Sequence, residues 1–190
     1  ITVNGVTFRP VAAGGPVTVT VRPDTDGIVS AVKSFVEEYN RVLDRLNDEL
    51  AEPRYPEYPP LTETQKKAMK EDEIKAWEEK AKSGLLRYEF TVRSAVDRLR
   101  QAVTANVPGA GYQNLAAIGI TTGSYGEKGQ LHVDETALRN AIEANPDGVK
   151  ELITKGAGEL AQQGVGKRLH AVLGQVGSAL VALAGSPTID

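Results

Sequence analysis

From Asp24 onward the apolar positions fall into helical register. Ile28, Val32, Phe35, Tyr39, Val42 and Leu46 step by four and three, while Val29, Val36, Leu43 and Leu50 repeat every seven. That spacing predicts one coiled-coil-like helix with Phe35 and Tyr39 among its core anchors. Asp24, Thr25 or Asp26 can cap its start, and at about 1.5 Å per residue it runs roughly 40 Å. A rod of that length needs partner helices along it.

Upstream the period is two. Val3, Val6 and Phe8, then Val17, Val19 and Val21 against Thr18 and Thr20, predict two short strands flanking Gly14, Gly15 and Pro16. A lone hairpin is marginal, so residues 1–23 are expected to belong to a sheet whose other strands lie elsewhere in a longer protein. The chain opens on Ile1 without an initiator Met or signal-type run and reads as the middle of a longer protein.

After the first helix, PRYPEYPP (Pro53 to Pro60) removes amide donors and predicts an extended connection. Thr62 with Gln65 then spells a capping box. Of the twenty residues Glu63 to Lys82 twelve are charged, six of each sign, which describes a solvated face. The pairs Glu71 with Lys75 and Glu78 with Lys82 add about 0.2–0.5 kcal/mol each. Ile74, Trp77, Ala81 and Leu85 make one narrow apolar stripe. Ile74, Trp77 and Leu85 are therefore expected core anchors, and burying Trp77 contributes about 3 kcal/mol, more than the surface pairs. Gly84 suits a left-handed cap at the end.

A third helix is predicted from Val92, Val96, Leu99 and Val103, with Leu99 as anchor. The three helical segments are expected to form one antiparallel bundle. LAAIGITTGSYGEKGQLHVDE then places two strands, at 118–122 and 130–133, about a glycine-rich turn. Asp134 caps a helix carrying Leu138 and Ile142, and Asn145-Pro146 starts another with Val149, Leu152 and Ile153 on its apolar side. Val165, Leu169, Val172, Val176, Leu180 and Leu183 predict a last helix. Gly164, Gly166, Gly174 and Gly177, at about 1 kcal/mol each against alanine, make it the least stable one. The fold expected is mainly α (α+β): an antiparallel bundle of long coiled-coil-like helices with a β-hairpin insertion and N-terminal strands. The divisions are 1–23, a helical rod over 24–155 with its hairpin at 116–134, and a Gly-rich helix and tail over 156–190.

Composition narrows the chemistry. The 190 residues are 41% hydrophobic and 25% charged with a formal net charge of -3, which gives no electrostatic reason to expect nucleic acid or a membrane as partner. No apolar run approaches the roughly 20 residues that cross a bilayer. There is no cysteine, and the two histidines, His132 and His170, have no second ligand at a recognised spacing; both read as surface or partly packed side chains. GAGELA (Gly156 to Ala161) follows a helix instead of a strand, and GVGKR has Arg168 where a phosphate loop needs Ser or Thr. DTDG (Asp24 to Gly27) would place Phe35 at the twelfth loop position, where calcium requires Glu. Helix capping explains those aspartates. No catalytic residue, cofactor or metal site is expected, and the chain is not read as an enzyme.

YPPLTETQKKAMKEDEIKAWEEKAKSGLLR, with the preceding IVSAVKSFVEEYNRVLDRLN and the hairpin LAAIGITTGSYGEKGQLHVDETALRNAI, resembles the C-terminal half of the flagellar hook-associated protein 2 family, the proteins of the filament cap. The resemblance covers nearly the whole chain, and it implies that the strands of residues 1–23 lead out of a β-rich outer domain. It implies a subunit exported through the flagellar channel that self-assembles into a ring at the filament tip and promotes flagellin polymerisation. The partners implied are copies of itself, flagellin and hook-filament junction proteins, all outside the cell. Relatives commonly place a capping Ser where this chain has Lys70, which leaves open whether the helix breaks there. The alternative is a surface-exposed adhesin or binding module displayed on a helical rod.

Overall fold

The computed structural model describes residues 22–185 apart from residue 157, together with residues 2, 3, 6, 7, 9, 11, 12, 14–16 and 18. Two short antiparallel strands come first, β1 (Thr2–Val3) and β2 (Val6–Thr7), with Thr2 opposite Thr7 and Val3 opposite Val6. This pairing lies within the first of the two strands expected about Gly14 to Pro16. The strand expected over Val17 to Val21 lies almost wholly outside the described residues.

Helix α1 (Thr25–Ala51) starts where Asp24 accepts from the Gly27 amide at 2.9 Å. Its buried seam is Val29, Val32, Val36, Tyr39 and Leu43, which lies between the two apolar stripes seen in sequence. Ile28, Phe35, Leu46 and Leu50 pack against the edges of the core, while Val42 turns outward. Next come α2 (Glu63–Lys67) and α3 (Glu71–Lys82), so the chain does break at Lys70. Glu73 marks the new start by accepting from the Lys70 amide at 3.0 Å.

Helix α4 (Phe90–Thr104) packs on α1 with one face and on α7 (Val165–Ala184) with another. Its anchors Val96, Leu99, Ala102 and Val103 are buried. The α4–α7 pair is antiparallel: Arg168 near the start of α7 reaches the carbonyls of Ala105 and Asn106, while Arg98 meets Gln175 further along. Strands β3 (Ile120–Thr122) and β4 (Leu131–Val133) form the hairpin, with Thr121 opposite His132. Then α5 (Glu135–Ala144) and α6 (Pro146–Thr154) fold back, capped by Asp134 and Asn145 as their spacing predicts. Gly164 is required where α7 begins, because a Cβ there would sit 2.6 Å from the Ile153 carbonyl oxygen.

One cluster unites α1, α4, the hairpin, α5, α6 and α7, and it draws nothing from α2 or α3. The bundle expected from α1, α3 and α4 is corrected accordingly: α7 takes the place given to α3. The physical reason is area. Val165, Leu169, Val172 and Val176 offer a continuous seam, whereas the α3 stripe is narrow and flanked by charge. The chain is thus mainly α with a small β hairpin.

Candidate functional site

Residues 53–84 form an arm folded on itself beside the bundle. Trp77 donates its indole N–H to the Pro59 carbonyl at 2.7 Å, and its ring lies 4.8 Å from that of Tyr58 in an edge arrangement. Lys80 donates to the Tyr58 hydroxyl at 3.0 Å and sits 4.4 Å above that ring. Lys66 pairs with Glu78 at 2.8 Å, which ties α2 to α3. At the base, Arg54 donates to the carbonyls of Ala81 at 2.8 Å and Ser83 at 3.1 Å, closing the free end of α3. Ser83 Oγ donates to the Pro53 carbonyl and the Gly84 amide to Glu52 Oε2 at 2.7 Å. Gly84, at φ +64, passes so close that a Cβ would lie 2.7 Å from the Pro53 oxygen.

Between arm and bundle the turn presents three large apolar side chains to solvent: Leu85 is 61% exposed, Tyr88 67% and Phe90 79%. Tyr88 holds a positive φ of 64°, uncommon for an aromatic residue, and Arg87 covers its ring at 5.0 Å. Three exposed apolar side chains within six residues of sequence are a candidate interaction surface.

A second projection is the hairpin tip. Ser124 and Glu127 cap the tight turn, with the Ser124 hydroxyl donating to Glu127 Oε1 at 2.6 Å and the Ser124 amide at 2.9 Å. Those two donors, followed by His132 on the other carboxylate oxygen, hold the Glu127 pKa down to about 2. Tyr125 stands at the tip, 95% exposed. His170 is exposed on α7. Among the described residues no group of three or more His, Cys, Asp or Glu is placed to hold a metal ion, and no helix is long and apolar enough to cross a membrane.

The residues expected as anchors separate into two places. Phe35, Tyr39 and Leu99 belong to the bundle: Tyr39 and Leu99 are buried, and Phe35 packs against the cluster's edge. Ile74 and Trp77 are half-buried in the arm and touch no part of that cluster. Leu85 is no anchor, because α3 ends at Lys82 and the turn through Gly84 carries Leu85 into solvent. The Arg54 clasp was invisible in sequence, since no periodicity relates a residue in a proline-rich stretch to a helix end far along the chain.

A helical bundle carrying one inserted hairpin is the class of architecture found in a flagellar cap structure. The D1-D2-D3 domains of the flagellar cap protein FliD from Escherichia coli match with a TM-score of 0.54 at 22% identity, over 85% of this chain and 35% of that one. The family model described as flagellar hook-associated protein 2 C-terminus matches residues 1–184. Flagellar hook-associated protein 2 of Halalkalibacterium halodurans is 42% identical over 156 residues, which is 80% of this chain and 29% of that protein. Its counterpart in Thermotoga maritima is 33% identical over 155 residues, 78% of this chain and 23% of the relative. This chain belongs to the flagellar hook-associated protein 2 family, within its C-terminal part. It spans less than a third of these curated relatives.

Proposed function

We propose that the chain is the helical-rod part of a filament-cap subunit, which assembles with copies of itself at the filament tip and promotes flagellin polymerisation there. The observation that carries this reading is the family match over residues 1–184. Two features support it. The bundle closes on its own core, so it can act as a stiff element, and the Leu85, Tyr88 and Phe90 patch and the Tyr125 tip leave large side chains free for contacts with other subunits. The partners in this reading are self, flagellin and hook-filament junction proteins, the location is the flagellum outside the cell, and the role is structural with no catalysis. The relatives' names carry a flagellar role and say nothing of adhesion, so the display alternative is not taken further.

Deleting the gene for the full-length protein in its motile host tests the proposal. Flagellin should then appear in the medium as monomer, with filaments restored by the intact gene. Normal filaments in the deletion strain would overturn it.

A further inference from the structure

Among the described residues Arg168 is the one buried charged side chain, at 4% exposed. Its guanidinium donates from Nη2 to the Ala105 carbonyl at 2.8 Å and from Nη1 to that of Asn106 at 3.4 Å. Closing the end of α4 in this way accounts for its position and for two of its donor groups. It does not account for the rest. The buried Nε has no hydrogen-bond partner, and among the described residues neither Arg168 nor Arg98 takes part in an ion pair. A buried cation without an ion-pair partner is costly, and burial pushes the Arg168 pKa down.

Arg168 lines a cavity of about 520 Å³ between α4 and α7, within the size range of small-ligand sites of about 300–1,000 Å³. Arg98 and Gln101 supply further polar groups, Ala102, Leu160 and Val172 supply apolar wall, and no Asp or Glu lines it. Arg98 and Arg168 are thus the charged residues among those lining one largely apolar cavity, in a chain of net charge -3. At its rim Arg98 Nη1 donates to the Gln175 side-chain oxygen at 3.0 Å, a neutral acceptor that a charged one would outcompete.

We infer that this cavity binds a carboxylate carried on a short apolar body, the charge meeting Arg98 and Arg168 and the body lying on Leu160 and Val172. An acidic residue beside an apolar one in a protein segment, or a free organic acid, both present that chemistry.

Amide chemical shifts of the full chain, followed during titration, test the inference. The probes are hexanoate and the blocked dipeptide acetyl-Leu-Glu-amide, with hexanamide and acetate as controls. Saturable shifts are expected in the second half of α4, the first half of α7 and around Leu160, at concentrations on the order of millimolar, weakening as salt rises. Binding by either probe supports the site, and whichever binds identifies its source as free acid or protein side chain. Arg98 is exposed, so Arg98→Gln should fold normally and bind at least about tenfold more weakly. Absence of saturation with both acids, equal shifts with hexanamide, or unchanged binding by Arg98→Gln would overturn the inference.

Discussion

Asn40 meets Leu131 as a neighbouring strand would: its side-chain amide donates to the Leu131 carbonyl at 2.9 Å, and its side-chain oxygen accepts from the Leu131 amide at 2.8 Å. One residue of α1 thereby satisfies the outer edge of β4 and fixes the hairpin against the rod. Gln130, holding Asp44 at 2.7 Å, adds a second link on the same side.

Replacing Asn40 with Ala leaves both Leu131 backbone groups without that partner and should destabilise the fold by about 1–3 kcal/mol. Urea unfolding measures the loss, and hydrogen exchange should show hairpin amides opening more than those of α7. An unfolding midpoint equal to the parent's would mean that the link contributes nothing.

Glycine acts in opposite senses at two places. Gly174 and Gly177 lie within α7 with open space where a Cβ would go, so Gly174→Ala and Gly177→Ala should each stabilise the chain by about 0.5–1 kcal/mol. At Gly84 the positive φ and the nearby Pro53 oxygen reverse the sign, and Gly84→Ala should cost about 1–2 kcal/mol or more. Thermal unfolding of the three variants checks this; stabilisation by Gly84→Ala would contradict the arm's closed base.

Trp77→Ala separates arm from bundle. In sequence its apolar stripe predicts a core cavity worth about 3–5 kcal/mol. Its partners are instead Tyr58 and Pro59, outside the main cluster, so the main unfolding transition should move little while exchange of α2 and α3 amides accelerates. A drop in the global midpoint of the size expected for a core cavity would show that arm and bundle unfold as one.

What sequence made legible was local. Thr62, Asp134 and Asn145 cap helices because a short polar side chain ahead of an apolar period has few other uses, and all three do so, while of the three candidates Asp24, Thr25 and Asp26 the structure uses Asp24. The hairpin was legible too, with β3 and β4 inside the expected strands. Partner choice was not. Periodicity identifies the apolar face of α3 and of α7, but not which will lie on α4, and the glycines of α7 argued against the helix that α4 in fact uses. The Arg54 clasp, the Asn40 bridge and the Arg168 contacts with Ala105 and Asn106 join residues far apart in sequence, where no spacing rule applies.

The alkaline limb of stability should report Tyr39. Burial pushes its pKa up from 10.0 to about 12, opposed by Arg100 nearby. A raised folded-state value means that the neutral phenol is favoured in the native state: its contribution is whole below pH 10 and is lost as pH rises towards 12. Tyr39→Phe should flatten the fall in stability across that window. An identical alkaline profile in the variant would show that Tyr39 titrates without consequence for folding.

The central claim, that this bundle belongs to a subunit which directs filament growth, is tested most directly by watching growth itself. Full-length protein added to filament seeds and purified flagellin should bind the growing end and sustain elongation there. Leu85→Ser, Tyr88→Ser and Phe90→Ser combined should reduce tip binding while leaving the fold intact, because all three side chains are exposed. Elongation indifferent to the full-length protein, with none of it found at filament ends, would contradict the account.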